Sequence, residues 1–177
     1  PVYFDYQSNK TILENNINST FKLKTNFNGK ITYKFFPTPR ILVENTHLDF
    51  IKSTKKKIRI KKLYILISSF NLKNIESFKT KKIIVENQAI QIYPKDFNSY
   101  FNYLTIHKQK NLIFKNCDFF FIDEQGNNVL FKGTNYKEKF SKKKHQIEID
   151  SNFSKNKIRV KFLNRIGSEK KLKISVP

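Results

Sequence analysis

The chain has little of what most catalytic and disulfide-stabilised proteins use. Its 177 residues include one cysteine, four glycines and no methionine or tryptophan. A lone Cys117 excludes an internal disulfide framework and a cysteine-based zinc site. Four scattered glycines leave no glycine-rich phosphate loop. No apolar run approaches the roughly 20 residues that a membrane helix needs, so we expect no membrane partner.

Groups suited to catalysis are also sparse. The three histidines, His47, His107 and His145, are scattered along the chain and show no metal-ligand spacing. Asp123 and Glu124 fall in a turn-rich stretch, where carboxylates commonly make local hydrogen bonds. The sequence therefore predicts that the protein is not an enzyme, and that it uses no cofactor, no metal and no small-molecule substrate.

Acidic residues are few, and this leaves a large positive charge. There are 35 Lys and Arg against 14 Asp and Glu, a formal charge of +21. Such a charge repels itself in a compact chain unless a polyanion neutralises it. Eighteen Phe and eight Tyr provide the core that a disordered basic tail lacks. Lys, Asn, Ile, Phe and Tyr share A/T-rich codons, so a base-biased genome explains part of the lysine content.

The basic residues concentrate in three acid-poor clusters. These are Lys52–Lys62, Lys137–Lys144 and Lys155–Lys173, where Glu138 and Glu169 are the only acids. Such clusters neutralise phosphates spaced along RNA, whereas any single cluster is equally well explained as a solvated lysine-rich surface. The predominance of lysine favours phosphate contact over base reading, which typically uses forked arginine contacts.

The first half of the chain shows strand signals followed by a helical spacing. Asn28-Gly29 between alternating segments predicts a tight hairpin. A strand over Arg40–Glu44 and a short one over His47–Ile51 are expected to flank a turn at Asn45-Thr46. The apolar residues then recur at helical spacing, which predicts a helix over about residues 56–72. That stripe consists of Ile60, Leu63, Ile67 and Phe70.

Strand signals return in the second half. Lys82–Ile92 is rich in β-branched residues, and Cys117–Asp123 and Val129–Lys132 flank a turn near Gly126. Helical spacing predicts a second helix over about residues 135–147. Further short strands are expected over Asn102–His107 and Leu112–Phe114, and Ile158–Leu163 and Leu172–Val176 are interpreted as strands or as a basic tail.

These elements predict an α+β protein made of two β-rich domains, each packed with one helix. The expected domains are residues 1–80, with the helix over about 56–72, and residues 81–150, with the helix over about 135–147. A basic C-terminal segment, residues 151–177, follows. An all-β sandwich is the alternative fold.

Several motifs resemble a known family. Asn28–Phe35, followed by Pro37 and Arg40–Phe50, is similar to the hairpin, proline and strand of the first domain in the bacterial-type ribosomal large-subunit protein six family. Phe78–Val85 resembles that family's Phe-x-Lys-Lys-hydrophobic strand. Val129–Gly133 resembles its strand-Lys-Gly step into the last helix. The order and spacing of these motifs hold over roughly residues 20–147.

The resemblance implies a structural role in the large ribosomal subunit, with large-subunit rRNA and neighbouring ribosomal proteins as partners. It places most RNA contacts in the second domain, its helix and the C-terminal segment. Two departures are Glu86–Ala89, in place of the family's Gly-Val-Gly-Tyr strand, and Lys155–Lys173, in place of its proline- and glycine-rich loop. With the first basic cluster included, the expected RNA-binding residues are Lys55, Lys56, Lys57, Lys132, Lys142, Lys143, Lys144, Arg159, Lys161 and Arg165.

Two rival functions stay open at this point. A viral capsid-type β-sandwich protein also carries positive charge against a genome, and it predicts self-assembly and no helix over Lys56–Leu72. An accessory subunit of an organellar complex predicts weak RNA affinity that barely changes with salt. The base bias favours a mitochondrial location, with a plastid, the cytoplasm of an A/T-rich bacterium or, for a capsid protein, a virion as alternatives.

Overall fold

The computed structural model describes residues 5–49, 58–67, 80–95, 111–123, 125–126, 128–141, 144–165 and 171–176. The chain divides into two compact units, residues 1–85 and residues 86–177. The described residues form eleven strands and one helix. The predicted α+β class, with one helix packed on each domain, is therefore wrong, and the protein is closer to the all-β alternative.

The elements follow one another along the chain in two groups. The first unit contains α1 (Lys10–Phe21), β1 (Lys24–Phe27), β2 (Ile31–Lys34), β3 (Arg40–Asp49), β4 (Ile58–Ile67) and β5 (Thr80–Glu86), which ends one residue into the second unit. The second unit contains β6 (Ala89–Ile92), β7 (Leu112–Ile122), β8 (Asn128–Ser141), β9 (Lys144–Phe153), β10 (Asn156–Arg165) and β11 (Lys171–Ser175).

Helix α1 covers one face of the first unit's antiparallel strands. Leu13, Ile17 and Phe21 recur every four residues and are almost completely buried. Glu14 accepts a hydrogen bond from the backbone N–H of Phe27 at 2.6 Å, and Asn16 accepts one from the hydroxyl of Thr80 at 2.7 Å. This helix was not predicted, because its Asn, Ser and Thr residues have weak helical propensity.

The Asn28-Gly29 segment is a bulge, and the hairpin predicted there is wrong. Strands β1 and β2 lie end to end along the same side of β3, so that Phe27 pairs with Thr46 and Ile31 with Val43. The three residues between β1 and β2 oppose two of β3, which leaves one extra residue. A Cβ on Gly29 would lie 2.2 Å from the carbonyl oxygen of Glu44, so only glycine fits there.

Strand β3 runs through the turn that was predicted at Asn45-Thr46. Asn45 has a φ of 48°, a conformation that asparagine tolerates, and the pairing of β3 with β4 keeps the same register on both sides of it. The alternation of buried and exposed residues along β4 changes phase where β4 passes Asn45. In β4, Lys61 and Lys62 are both exposed, whereas Ile60 and Leu63 on either side are completely buried.

This phase change explains why the helix predicted over residues 56–72 is wrong. Its described part is β4. Two runs of strand alternation, joined out of phase, place buried residues at 60, 63, 65 and 67. The 60, 63 and 67 positions imitate the spacing of a helical stripe. Residues 56–57 and 68–72 of the predicted helix lie outside the described residues.

The second unit is a meander of antiparallel strands, with β6 added in parallel. Strands β7 to β11 pair in chain order, and β6 pairs with β7. The predicted turn near Gly126 is confirmed by the pairing of Ile122 with Asn128. Ser154 and Lys155 form a two-residue turn between β9 and β10, both with positive φ, as this kind of hairpin requires.

The second predicted helix, over residues 135–147, is also wrong. This stretch contains the end of β8 and the start of β9. The two strands are paired to each other, from the pair of Asn135 with Asp150 to the pair of Ser141 with Lys144. Residues 102–107, predicted as a strand, lie outside the described residues. Ile158–Leu163 and Leu172–Val176, left open as strands or a tail, form the hairpin of β10 and β11, with Val176 just beyond it.

Polar contacts take up much of the second unit's interior. Glu138 and His145 are both buried, and their side chains hydrogen-bond at 2.7 Å. The hydroxyls of Thr134 and Ser151 lie 2.7 Å apart. Phenylalanines also pack there. The ring of the half-buried Phe131 on β8 stacks on that of Phe153 on β9, with 5.1 Å between the ring centroids.

Candidate polyanion-binding face

Two sides of the second unit's sheet differ sharply in chemistry. Residues directly opposite one another in antiparallel strands project on the same side, and so do alternate residues along each strand. One side carries Tyr136, Ile149 and Val160, which lie in one row across β8, β9 and β10. The other side is rich in lysine.

The lysine-rich side is built from successive cross-strand rows. In one row that crosses all four strands, Lys137 of β8 pairs with Glu148 of β9, Glu148 with Lys161 of β10, and Lys161 with Lys173 of β11. Ten described basic residues share this side, and we call them the basic face. They are Lys132, Lys137, Lys139, Lys144, Lys157, Arg159, Lys161, Arg165, Lys171 and Lys173.

The basic face extends over most of the length of β10 and across four strands. From Lys157 to Arg165 it runs eight residues along β10, about 27 Å at ~3.4 Å per residue. From β8 to β11 it crosses three strand spacings, about 14 Å at ~4.8 Å each. Nine of the ten basic residues are exposed, and Lys144 is half-buried.

Two acidic residues of β9 project from the same side. Asp150 accepts a hydrogen bond from Nε of Arg159 at 2.5 Å, and this bond raises the pKa of the Arg159 guanidinium. Glu148 lies opposite both Lys137 and Lys161, and accepts a hydrogen bond from the amide of Gln146 at 2.8 Å. Ten basic against two acidic side chains leave a formal excess of eight positive charges on this side.

The residues predicted to bind RNA divide into two groups. Five of them are brought together on the basic face: Lys132, Lys144, Arg159, Lys161 and Arg165. The other five lie outside the described residues: Lys55, Lys56, Lys57, Lys142 and Lys143.

Five further members of the basic face were missing from the prediction. They are Lys137, Lys139, Lys157, Lys171 and Lys173. The signal that finds them is alternation with a period of two. In Lys157–Lys161 and in Lys171–Lys173 every second residue is basic and the residues between are apolar, which is typical of a strand with one wet side. Lys137 and Lys139 show the same alternation, which the predicted helix over residues 135–147 does not take into account.

The described residues hold no group of three or more His, Cys, Asp or Glu side chains that is placed to bind a metal ion. Within the same residues, no helix is long and apolar enough to cross a membrane. No family model, no curated protein and no solved structure matches this chain.

Proposed function

We propose that the protein binds RNA through the basic face of its second unit. The observation that carries this proposal is the concentration of ten basic and two acidic side chains on one side of four adjacent strands. A formal charge of +21 alone does not define a site, since codon bias raises lysine everywhere. The placement of these charges on one side of a sheet is what supports a binding site here.

The chemistry of the basic face favours contact with phosphates over contact with bases. Eight of its ten members are lysines, which act as point charges on flexible stems. Of the two arginines, Arg159 is already held by Asp150 at 2.5 Å. Leu163, an apolar residue on this side, is half-buried and lies opposite Gln146 and Lys171. We therefore expect binding that depends strongly on salt and weakly on sequence.

The test compares two variants that each remove four positive charges. The face variant replaces four exposed lysines of the basic face with glutamine: Lys137, Lys139, Lys161 and Lys173. The control variant replaces four exposed lysines of the first unit with glutamine: Lys10, Lys24, Lys30 and Lys34. Binding of an unstructured RNA oligomer is measured by fluorescence anisotropy across a salt series.

The face variant is expected to bind at least ~10-fold more weakly at low salt, and its salt slope to fall by about 3, at ~0.7 per phosphate contact on a single strand. The control variant is expected to stay within about two-fold of the parent, because its four lysines lie outside the basic face. Both variants have the same net charge, so a difference between them reports the position of the lysines. Equal losses in the two variants would show that only total charge matters and would overturn the proposal.

Large-subunit rRNA is one RNA to include in this test. The resemblance to the ribosomal family implied a helix after the strand-Lys-Gly step at Val129–Gly133, and the described part of that stretch is strand. The resemblance therefore adds no support beyond what the basic face supplies. Preference for rRNA over an unrelated RNA of equal length, measured at one salt concentration, separates a ribosomal role from general RNA binding.

A second candidate is a self-assembling coat protein that contacts its genome through the same face. This candidate predicted no helix over residues 56–72, and strand β4 lies there. It requires assembly into large homopolymers when nucleic acid is added. Light scattering that stays at the monomer level across a titration with RNA would remove this candidate and leave the first in place.

A further inference from the structure

Strand β11 ends the second unit's sheet, and its outer side is open in the described part of the chain. β11 pairs with β10, from the pair of Arg159 with Ser175 to the pair of Leu163 with Lys171. No other described strand of the unit pairs with β11. Backbone N–H and C=O groups on such an edge can accept another strand.

The side chains of β11 alternate between apolar and basic. Leu172, Ile174 and the following Val176 are 64%, 62% and 61% exposed. On β10, the cross-strand neighbours of Leu172 and Ile174 are Phe162 and Val160. Both are half-buried, because a strand lies on each side of β10. A strand added beside β11 would give Leu172 and Ile174 the same shelter.

The unit already contains a strand with the matching pattern. In β9, Ile147 and Ile149 alternate with Glu148 and Asp150. The two isoleucines lie opposite Phe162 and Val160 of β10. The two acids project from the other side, opposite Lys161 and Arg159. β10 thus accepts an acidic–apolar strand on one of its sides.

The charges on neighbouring strands favour a second acidic–apolar strand beside β11. β10 has the acidic residues of β9 on one side but the lysines of β11 on the other. Lys161 and Lys173 are direct neighbours on β10 and β11, and like charges that face each other across strands are destabilising. Pairing β11 with β11 of a second copy would add more lysines to that row. A strand that brings a carboxylate opposite Lys173 and another opposite Lys171 would continue the alternation of basic and acidic strands.

We propose that β11 is a docking edge for an extended segment of a partner protein in which acidic and apolar residues alternate. The segment adds an outer strand, places its apolar residues beside Leu172 and Ile174, and pairs its carboxylates with Lys171 and Lys173. This inference goes beyond RNA binding and does not depend on it, although the two lysines belong to the basic face.

The probe is a synthetic peptide with the sequence of residues 144–152, Lys-His-Gln-Ile-Glu-Ile-Asp-Ser-Asn. It is titrated into the ¹⁵N-labelled full chain, and amide shifts are followed by NMR. The shifts are expected to concentrate on residues 171–176. Replacing both Leu172 and Ile174 with Ser should weaken binding about 10-fold, since the peptide's isoleucines lose their neighbours. The same variant should leave RNA affinity unchanged, which separates a failure here from a failure of the RNA proposal.

A charge swap keeps the test valid if the serine variant alters β11 itself. Lys173→Glu should weaken binding of the acidic peptide about three-fold, and a peptide that carries lysine only at the acidic position opposite residue 173 should recover that affinity. Lys24→Glu, on β1 of the first unit, serves as the matched control and should change neither peptide's affinity.

Three outcomes would overturn the proposal. The first is peptide binding that is indifferent to both the serine variant and the charge swap. The second is dimerisation of the chain through β11 that the peptide fails to compete with, which would make a second copy the occupant. The third is an equal loss of RNA affinity in the serine variant, which would assign this edge to RNA.

Discussion

The two units bury their apolar side chains to very different extents. Of the 23 buried hydrophobic residues in the described parts of the chain, 18 lie in the first unit and five in the second. Five of the seven buried polar residues, among them Glu138 and His145, belong to the second unit. The first unit thus has a conventional hydrophobic core, whereas the second unit is a sheet with few buried apolar residues and most of the buried polar ones among the described residues.

Under the proposed function, stability and binding depend on different parts of the molecule. A fully buried Leu or Ile side chain contributes roughly 1.5–3 kcal/mol by leaving water, so the first unit gains more from burial for each residue it orders. The second unit instead offers long strands with one lysine-rich side. Variants that test each unit by itself should therefore separate folding from binding.

The largest expected effect is on the first unit's core. Leu63 is completely buried in β4, and Leu63→Ala should lower the free energy of unfolding by about 4 kcal/mol. Ile149→Ala, at a half-buried position of β9, should cost about 1 kcal/mol. Urea denaturation followed by circular dichroism measures both. Equal costs would mean that the second unit is packed as tightly as the first.

A somewhat smaller effect is expected at the polar interior of the second unit. His145→Ala removes the 2.7 Å hydrogen bond to Glu138 and leaves that carboxylate buried, which should cost about 3 kcal/mol. Adding Glu138→Gln to the same chain should recover part of the loss, since a neutral amide is easier to bury. If the double variant is no more stable than His145→Ala, the pair is not coupled.

Cys117 reports on the second unit through its pKa. Burial raises the pKa of this thiol above its ordinary value of 9.0, so the folded protein holds less reactive thiolate than an unfolded chain at the same pH. Labelling by a thiol reagent at pH 8 should be at least ~10-fold slower in the native protein than in urea. Equal rates would show that the second unit opens freely.

The same shift predicts a dependence of stability on pH. A raised pKa means that the folded state holds its proton longer, so this contribution to stability is fully present below about pH 9 and is lost as the pH rises through the folded-state value. Cys117→Ala should remove this part of the alkaline loss, which a urea midpoint measured at several pH values detects.

Several elements followed from the sequence. The turn near Gly126 was predicted correctly, because alternating apolar strands flank turn-forming residues on both sides. Five of the residues predicted to bind RNA do share one face, since chain-local basic clusters fall on neighbouring strands of a meander.

The errors also have physical causes. Asn45 changes the phase of β3 and β4 without ending either strand, so the buried positions of β4 imitate a helical stripe. Gly29 allows close approach to the backbone of Glu44, which is a tertiary contact that no local pattern reveals. Helix α1 depends on hydrogen bonds that Glu14 and Asn16 accept from residues of distant strands, and its own residues favour other structures.

The smallest expected effect sharpens the assignment of binding to the second unit. Asp150 holds Arg159 at 2.5 Å, so Asp150→Asn should free a charge on the basic face and raise RNA affinity about three-fold at low salt. Glu44→Gln, in the first unit, removes one negative charge elsewhere and is the matched control. An equal gain in both variants would point to net charge alone.

The salt dependence of RNA binding in the two four-lysine variants tests the central claim most directly. The basic-face variant, altered at Lys137, Lys139, Lys161 and Lys173, is predicted to lose about 3 from the slope of log affinity against log salt, while the first-unit control keeps the parent slope. Matching slopes in the two variants would contradict the account, because they would show that RNA does not distinguish the face of the second unit from the rest of a positively charged surface.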